Sequence, residues 1–117
     1  MRPQPKLPLN GFITGYRNTL EVFVDGVVLP LEPSLKVRDH SPTGFCWGYH
    51  GSGPSQLALA LLLNFGAKKD EALAWYQDFK REVIANLPDG DFEIPMSRVS
   101  DWLTVRRIFE KEFGDRP

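Results

Sequence analysis

The feature that most constrains the fold is a run of seven apolar residues, at positions 57–63, directly after a glycine-rich loop. Leucine and alanine occupy every face of the helix that this run predicts, and a helix that is apolar all round has to be buried on most sides. The run is too short for the ~20 apolar residues of a membrane span. We therefore expect a central core helix that starts at Pro54, in its first turn, and stops at residues 64–66.

Short segments rich in β-forming residues precede this helix. Residues 11–16 and 20–25 flank a polar triplet and are interpreted as a hairpin. An Asp-Gly turn signal follows, after which residues 27–31 can form a third strand that Pro30 limits to a sheet edge. These segments predict a small antiparallel meander.

The next segment, residues 32–49, contains Pro33, Pro42 and Gly44, which are residues typical of turns and loops. We expect an irregular connection here, with a short strand at residues 45–47. This connection leads into the glycine-rich loop.

Residues 70–87 predict a second helix with one apolar stripe at helical spacing. That stripe comprises Ala72, Tyr76, Phe79 and Val83. Trp75 lies off the stripe. A turn at residues 88–90 ends the helix, and residues 92–94 can return to the sheet as another strand.

A third helix is expected to begin near Ser97 and to pack through a second apolar stripe. The residues of this stripe are Trp102, Val105, Phe109 and Phe113. The whole pattern predicts an α+β domain over residues 11–117, with a small antiparallel β-meander packed on a buried central helix and two amphipathic helices. Residues 1–10, with three prolines, are interpreted as a flexible N-terminal segment.

The composition excludes several function classes. The 117 residues carry a formal net charge of −1, which removes the long-range attraction of a strongly basic protein to nucleic-acid phosphates. No signal peptide or membrane span is recognisable, and a lone cysteine, Cys46, suits a reducing compartment, so we expect a cytoplasmic protein. Cys46 is interpreted as a small buried hydrophobe.

The glycine-rich loop is the leading candidate for a binding site. Its candidate residues are Trp47, Tyr49, His50, Gly51, Ser52, Gly53 and Gln56. Amides in such a turn at a helix start can hold phosphate or carboxylate, although the spacing matches neither the P-loop nor the dinucleotide motif. The alternative is a structural loop in which Ser52 or Gly53 caps the helix. Alternation predicts that Trp47 and Tyr49 point to opposite sides.

No catalytic or metal-binding residue is assigned. His50 and Ser52 lie near Asp39, His40 and Ser41, so the residue types of a nucleophilic triad occur together, but the serine elbow motif Gly-x-Ser-x-Gly is missing. Two histidines and one cysteine without ligand spacing do not indicate a metal site. We therefore expect a non-enzymatic protein without a cofactor, with a small hydrolase acting through Ser52 or His50 as a less favoured alternative.

Three segments carry a family resemblance: SPTGFCWGY at residues 41–49, GSGPSQLALALL at residues 51–62, and YQDFK at residues 76–80. Together they resemble a small family of uncharacterised proteins of bacteria, phages and other mobile elements, over about residues 11–104. Members of that family usually carry glycine at the position of His50, and no established activity comes with the resemblance.

This resemblance to mobile-element proteins implies a binder of host or phage macromolecules, with an inhibitor of an antiphage defence system as the most specific form. A host or phage protein is the expected partner, in the cytoplasm of a bacterial host. The alternative function is a nucleotide or nucleic-acid binding module that uses the glycine-rich loop at a helix N-terminus. The oligomeric state stays open at this point.

Overall fold

The computed structural model describes residues 10–114, so the predicted flexible segment lies outside them except for Asn10. The strands are β1 (Phe12–Tyr16), β2 (Glu21–Val24), β3 (Val27–Val28) and β4 (Phe92–Pro95). The helices are α1 (Glu32–Val37), α2 (Ser52–Asn64), α3 (Lys69–Glu82) and α4 (Ser97–Phe113), with a 3-10 turn, Ile84–Asn86, after α3. This arrangement confirms the predicted α+β class.

The four strands form one antiparallel sheet in the order β3-β2-β1-β4. In the central strand, Ile13 is paired with Val24 on one side and with Ile94 on the other. The predicted hairpin, the edge position of β3 and the return of β4 to the sheet are therefore confirmed. The third strand is shorter than expected, because the chain turns away at Pro30 after Leu29 donates a last hydrogen bond to β2.

Helix α2 lies at the centre of the core, as its apolar run predicts. Its leucine side chains Leu57, Leu59, Leu61 and Leu62 are all inaccessible to solvent. It packs against α1, α3 and α4, and the sheet residues Ile13, Val22 and Phe92 join the same buried cluster. The helix begins at Ser52, two residues earlier than expected, with Pro54 inside its first turn.

The expectation of an irregular connection is wrong at its start, where α1 forms. Pro33 lies in the first turn of this helix, where a residue without an N–H group is tolerated. The negative charge of Glu32 at the N-terminal end and the positive charge of Lys36 at the C-terminal end both interact favourably with the helix dipole. Proline therefore starts a helix here and does not interrupt one.

The expected strand at residues 45–47 is also wrong. Phe45 and Trp47 point inward and Cys46 lies between them half-buried, so the side chains alternate as in a strand. No neighbouring strand pairs with this stretch within the described part of the chain. Instead, the backbone amide of Gly48 donates to the carbonyl of Ile84, 3.0 Å away, in the 3-10 turn.

The predicted stripe of α3 is confirmed, because Ala72, Tyr76, Phe79 and Val83 are all buried. Trp75, which lies off that stripe, is buried as well. The guanidinium of Arg106 on α4 lies 5.8 Å from its ring and covers it.

The predicted packing stripe of α4 is wrong for most of its length. Val99 and Leu103 are the buried residues of this helix, whereas Val105, Phe109 and Phe113 are more than half exposed. Only Trp102 of the stripe packs inward, in an edge-to-face contact with a buried ring of α3. Beyond Leu103, polar contacts to α3 replace apolar ones, so the stripe turns toward solvent. Within residues 10–114, no helix is long and apolar enough to cross a membrane.

The central position of α2 leads to a stability prediction. Leu59→Ala and Leu62→Ala should each lower the free energy of unfolding by about 2 to 5 kcal/mol, because each leaves a cavity in the core. Urea denaturation of the purified variants measures this. Leu20→Ala, at an exposed position, is the matched control. Losses below ~1 kcal/mol at both core positions would show that α2 is not central.

Candidate functional site

The side chain of Gln56 is fully buried and makes four hydrogen bonds. Its Oε1 accepts from the backbone amides of His40 (2.7 Å) and Ser41 (3.0 Å). Its Nε2 donates to Ser34 Oγ (2.8 Å) and to the Arg38 carbonyl (3.0 Å). Gln56 therefore holds the chain between α1 and the glycine-rich loop against α2, and its amide is committed to the fold.

Trp47 is likewise a buried residue of the fold. Its Nε1 donates to the Gly90 carbonyl (2.8 Å), and its ring meets Phe92 edge to face, with centroids 4.9 Å apart. The guanidinium of Arg17 lies 5.2 Å from the centre of the same indole ring. Tyr49, two residues later, is 48% exposed, so the two rings do point to opposite sides. Alternation is not the reason, because residues two apart in an extended chain share a face, as Phe45 and Trp47 do. The left-handed backbone of Gly48, with φ +84°, lies between the two rings and breaks that pattern.

Arg17, in the turn between β1 and β2, braces the base of the loop. It donates to Asp89 Oδ1 (2.8 Å) and to Cys46 Sγ (2.9 Å) while its backbone amide donates to Asp91 Oδ1 (2.7 Å). Cys46 is thus half-buried and hydrogen-bonded, so the expectation of a buried hydrophobe at this position is wrong. Sequence reasoning missed Arg17, since nothing in its local pattern distinguishes it from a solvated turn residue.

The glycines of the loop serve different purposes. Gly48 has φ +84°, and a Cβ there would approach the Leu87 carbonyl to 3.1 Å. Gly53 is buried, and a Cβ there would lie 2.7 Å from the Cβ of Cys46, so only glycine allows this close packing.

Neither Ser52 nor Gly53 caps the start of α2, contrary to the structural alternative for this loop. Gly51 is the N-cap residue, with an extended backbone and no side-chain capping hydrogen bond. Ser52 is the first helical residue and its side chain is exposed. The hydroxyl of Ser52 therefore does not cap the helix.

An open groove of about 230 Å³ lies beside this helix start. It is lined by Leu20, Ser41, Thr43, Gly44, Phe45, Cys46, Tyr49, Ser52 and Gly53. Three predicted site residues, Tyr49, Ser52 and Gly53, thus meet at one surface. His50 is exposed but does not line the groove, and Trp47 and Gln56 lie behind it in the core.

The groove is uncharged in character. Among residues 10–114, no Lys or Arg lines it. Partial burial, together with the nearby Cys46 thiol, raises the pKa of Tyr49, so its hydroxyl stays protonated near neutral pH. Hydroxyls, backbone groups, an aromatic ring and the apolar side chain of Leu20 are among the groups that this groove offers to a partner.

The two histidines do not form a catalytic pair with Ser52. His40 Nε2 lies 2.5 Å from the hydroxyl of Tyr76, and the two rings stack at a tilt, 5.3 Å apart. No hydrogen bond joins Ser52 to His40 or His50. Among residues 10–114, no cluster of three or more histidine, cysteine or acidic residues could hold a metal ion.

The groove, α2 and most of the sheet lie within the part of the chain that matches one sequence family. A family model described as a family of unknown function (DUF6166) matches residues 13–105. The chain belongs to this DUF6166 family. No curated protein and no solved structure shows a significant match. The matched range ends in α4 at Val105, so the last two turns of that helix lie beyond it.

His40 leads to a prediction about pH. Burial lowers the pKa of His40 below its usual 6.5, and the neighbouring cations Arg38 and Lys80 lower it further, against a smaller opposing effect of Asp39. The unfolded chain then binds the proton more readily than the folded chain, so stability should fall as pH drops below about 6.5.

Urea denaturation between about pH 5 and pH 8 measures this effect. His40→Gln should flatten the acidic loss of stability, whereas His50→Gln, at an exposed position, should keep it. A His40→Gln profile parallel to that of the wild type would contradict the assignment.

Proposed function

We propose that this chain is a non-enzymatic binding module that recognises a protein through the groove beside Tyr49. One observation carries the proposal: a half-exposed aromatic ring stands at the edge of a groove whose walls are held by buried side chains. Aromatic residues of this kind are frequent hot spots in protein interfaces. Leu20, 37% exposed, adds an apolar side chain to the same surface.

Preorganisation supports a binding role. One wall of the groove includes Ser41, whose backbone amide is fixed by Gln56. The floor includes Cys46, which receives a hydrogen bond from Arg17 and packs on Gly53. A surface that is already ordered loses little conformational entropy when a partner docks, which favours affinity.

The chemistry of the groove favours a protein over a nucleotide. A phosphate would need nearby cations or several free amides, and none of the described residues that line the groove is Lys or Arg. The guanidinium of Arg17, close to the floor, is paired with Asp89. A nucleotide or nucleic-acid module would instead rely on the amides of residues 51–53, with Tyr49 stacking on a base.

The proposal for the target rests on the resemblance to mobile-element proteins alone. That resemblance supports a host or phage protein as the target. In its most specific form, the proposal is that the target is a component of an antiphage defence system. The cytoplasm of a bacterial host is the matching location. Ser52 forms no hydrogen bond with a histidine that could activate its hydroxyl, and this favours a binding role over hydrolysis.

Affinity purification from an infected bacterial host tests this function. The tagged wild-type protein should retain a stoichiometric protein partner at moderate salt. Tyr49→Ser should lose this partner, because it removes the exposed ring without opening the core. Val27→Ser, at an exposed apolar position on β3, is the matched control and should keep the partner.

The other outcomes distinguish the alternatives. Nucleic acid retained only at low salt, or a thermal shift with nucleotides, would favour the nucleotide-binding function. A biological effect that survives Ser52→Ala and His50→Ala would exclude the hydrolase. A partner that Tyr49→Ser retains at full occupancy would refute the groove as the binding surface.

A further inference from the structure

The C-terminal half of α4 presents an apolar face to solvent. Its side chains are 64% (Val105), 58% (Ile108), 51% (Phe109) and 65% (Phe113) exposed. The rings of Phe109 and Phe113 lie against each other, with centroids 5.3 Å apart. Contiguous apolar surface of this kind is uncommon on monomeric proteins and marks interaction sites.

Ion pairs hold this half of the helix in place. Arg106 pairs with Asp78 of α3 at 2.8 Å and with Glu110 at 3.1 Å. Arg107 donates to both carboxylate oxygens of Glu71, and this hydrogen bonding lowers the pKa of Glu71 to about 2. Because the polar side of the helix is fixed to α3, the apolar side is kept facing outward.

A hollow and a projecting side chain occur next to each other on this face. The hollow, of about 350 Å³, is lined by Glu82, Trp102, Val105, Arg106 and Phe109. Phe113 projects one turn beyond it. Val105, Phe109 and Phe113 follow one another at intervals of four residues, so they form one continuous ridge on the helix.

We propose that this face binds a second copy of the chain, with the two α4 helices crossing antiparallel about a two-fold axis at Phe109. The spacing of the ridge is symmetric about Phe109. The axis therefore places Phe113 of each copy over Val105 and the hollow of the other copy. The same contact then occurs twice, as a self-complementary interface requires. Ridges of this four-residue type pack against each other at a crossing angle of about 50°.

The exposed area favours a weak dimer. An aromatic side chain buries about 150 to 250 Å² when fully covered, so the four half-exposed side chains offer roughly 400 to 500 Å² per copy. Two copies then bury about 800 to 1,000 Å², close to the lower limit of a specific interface. Three of the four residues lie beyond the residues 13–105 that match the family, and none lines the groove, so this inference is independent of the proposed function.

Sedimentation equilibrium over roughly 5 to 500 µM tests the proposal. The wild type should show a reversible monomer–dimer equilibrium with a dissociation constant in the micromolar range. Phe109→Glu should weaken it by at least about tenfold, because it places two like charges at the axis. Val27→Glu, which adds the same charge at a similarly exposed position on β3, should leave it unchanged.

Cysteine cross-linking tests the register. A mixture of Val105→Cys and Phe113→Cys chains should form more disulfide dimer than either chain alone, and more than Thr104→Cys, on an exposed part of α4 outside the ridge. A wild type that stays monomeric at every concentration overturns the proposal. A dimer insensitive to Phe109→Glu, or cross-links no stronger than those of Thr104→Cys, overturns the two-fold pairing.

Discussion

The hydrogen bonding of one buried amide, that of Gln56, determines how the rest of the structure is arranged. A polar side chain inside an apolar helix costs stability unless all of its groups find partners. The partners come from the chain segment between Ser34 and Ser41, which is therefore drawn onto α2. This contact positions α1 and one wall of the groove, so the core and the candidate site depend on the same interaction.

The regular elements were largely predictable, because their signals are local. The apolar run of α2 and the β-rich segments of the hairpin each specify one kind of element. The predictions failed where a local sequence signal is compatible with two structures, or where the exposure of a residue depends on distant parts of the chain. Pro33 can end a helix or begin one, and only the surrounding charges and contacts decide. The apolar stripe of α4 has the spacing of a core-facing stripe, but the second half of the helix extends beyond the core, so most of the stripe is exposed to solvent.

The candidate site was predictable in part. The sequence analysis separates Trp47 from Tyr49 correctly but for the wrong reason, since residues two apart in an extended chain share a face and it is the left-handed backbone of Gly48 that breaks this pattern. The partners of these residues could not be predicted, because Arg17 and Asp89 reach the loop only through the tertiary fold. A polar residue directly before the apolar run, Gln56, does signal a buried network, although its type alone also suits a binding surface.

The central claim is that Gln56 fixes the groove wall from inside the core, leaving Tyr49 and Ser52 for a partner. Hydrogen exchange of the His40 and Ser41 amides, followed by NMR, tests this most directly. The account predicts slow exchange in the wild type and loss of that protection in Gln56→Ala. Exchange in the wild type as fast as at Asn18, in the exposed hairpin turn, would contradict it.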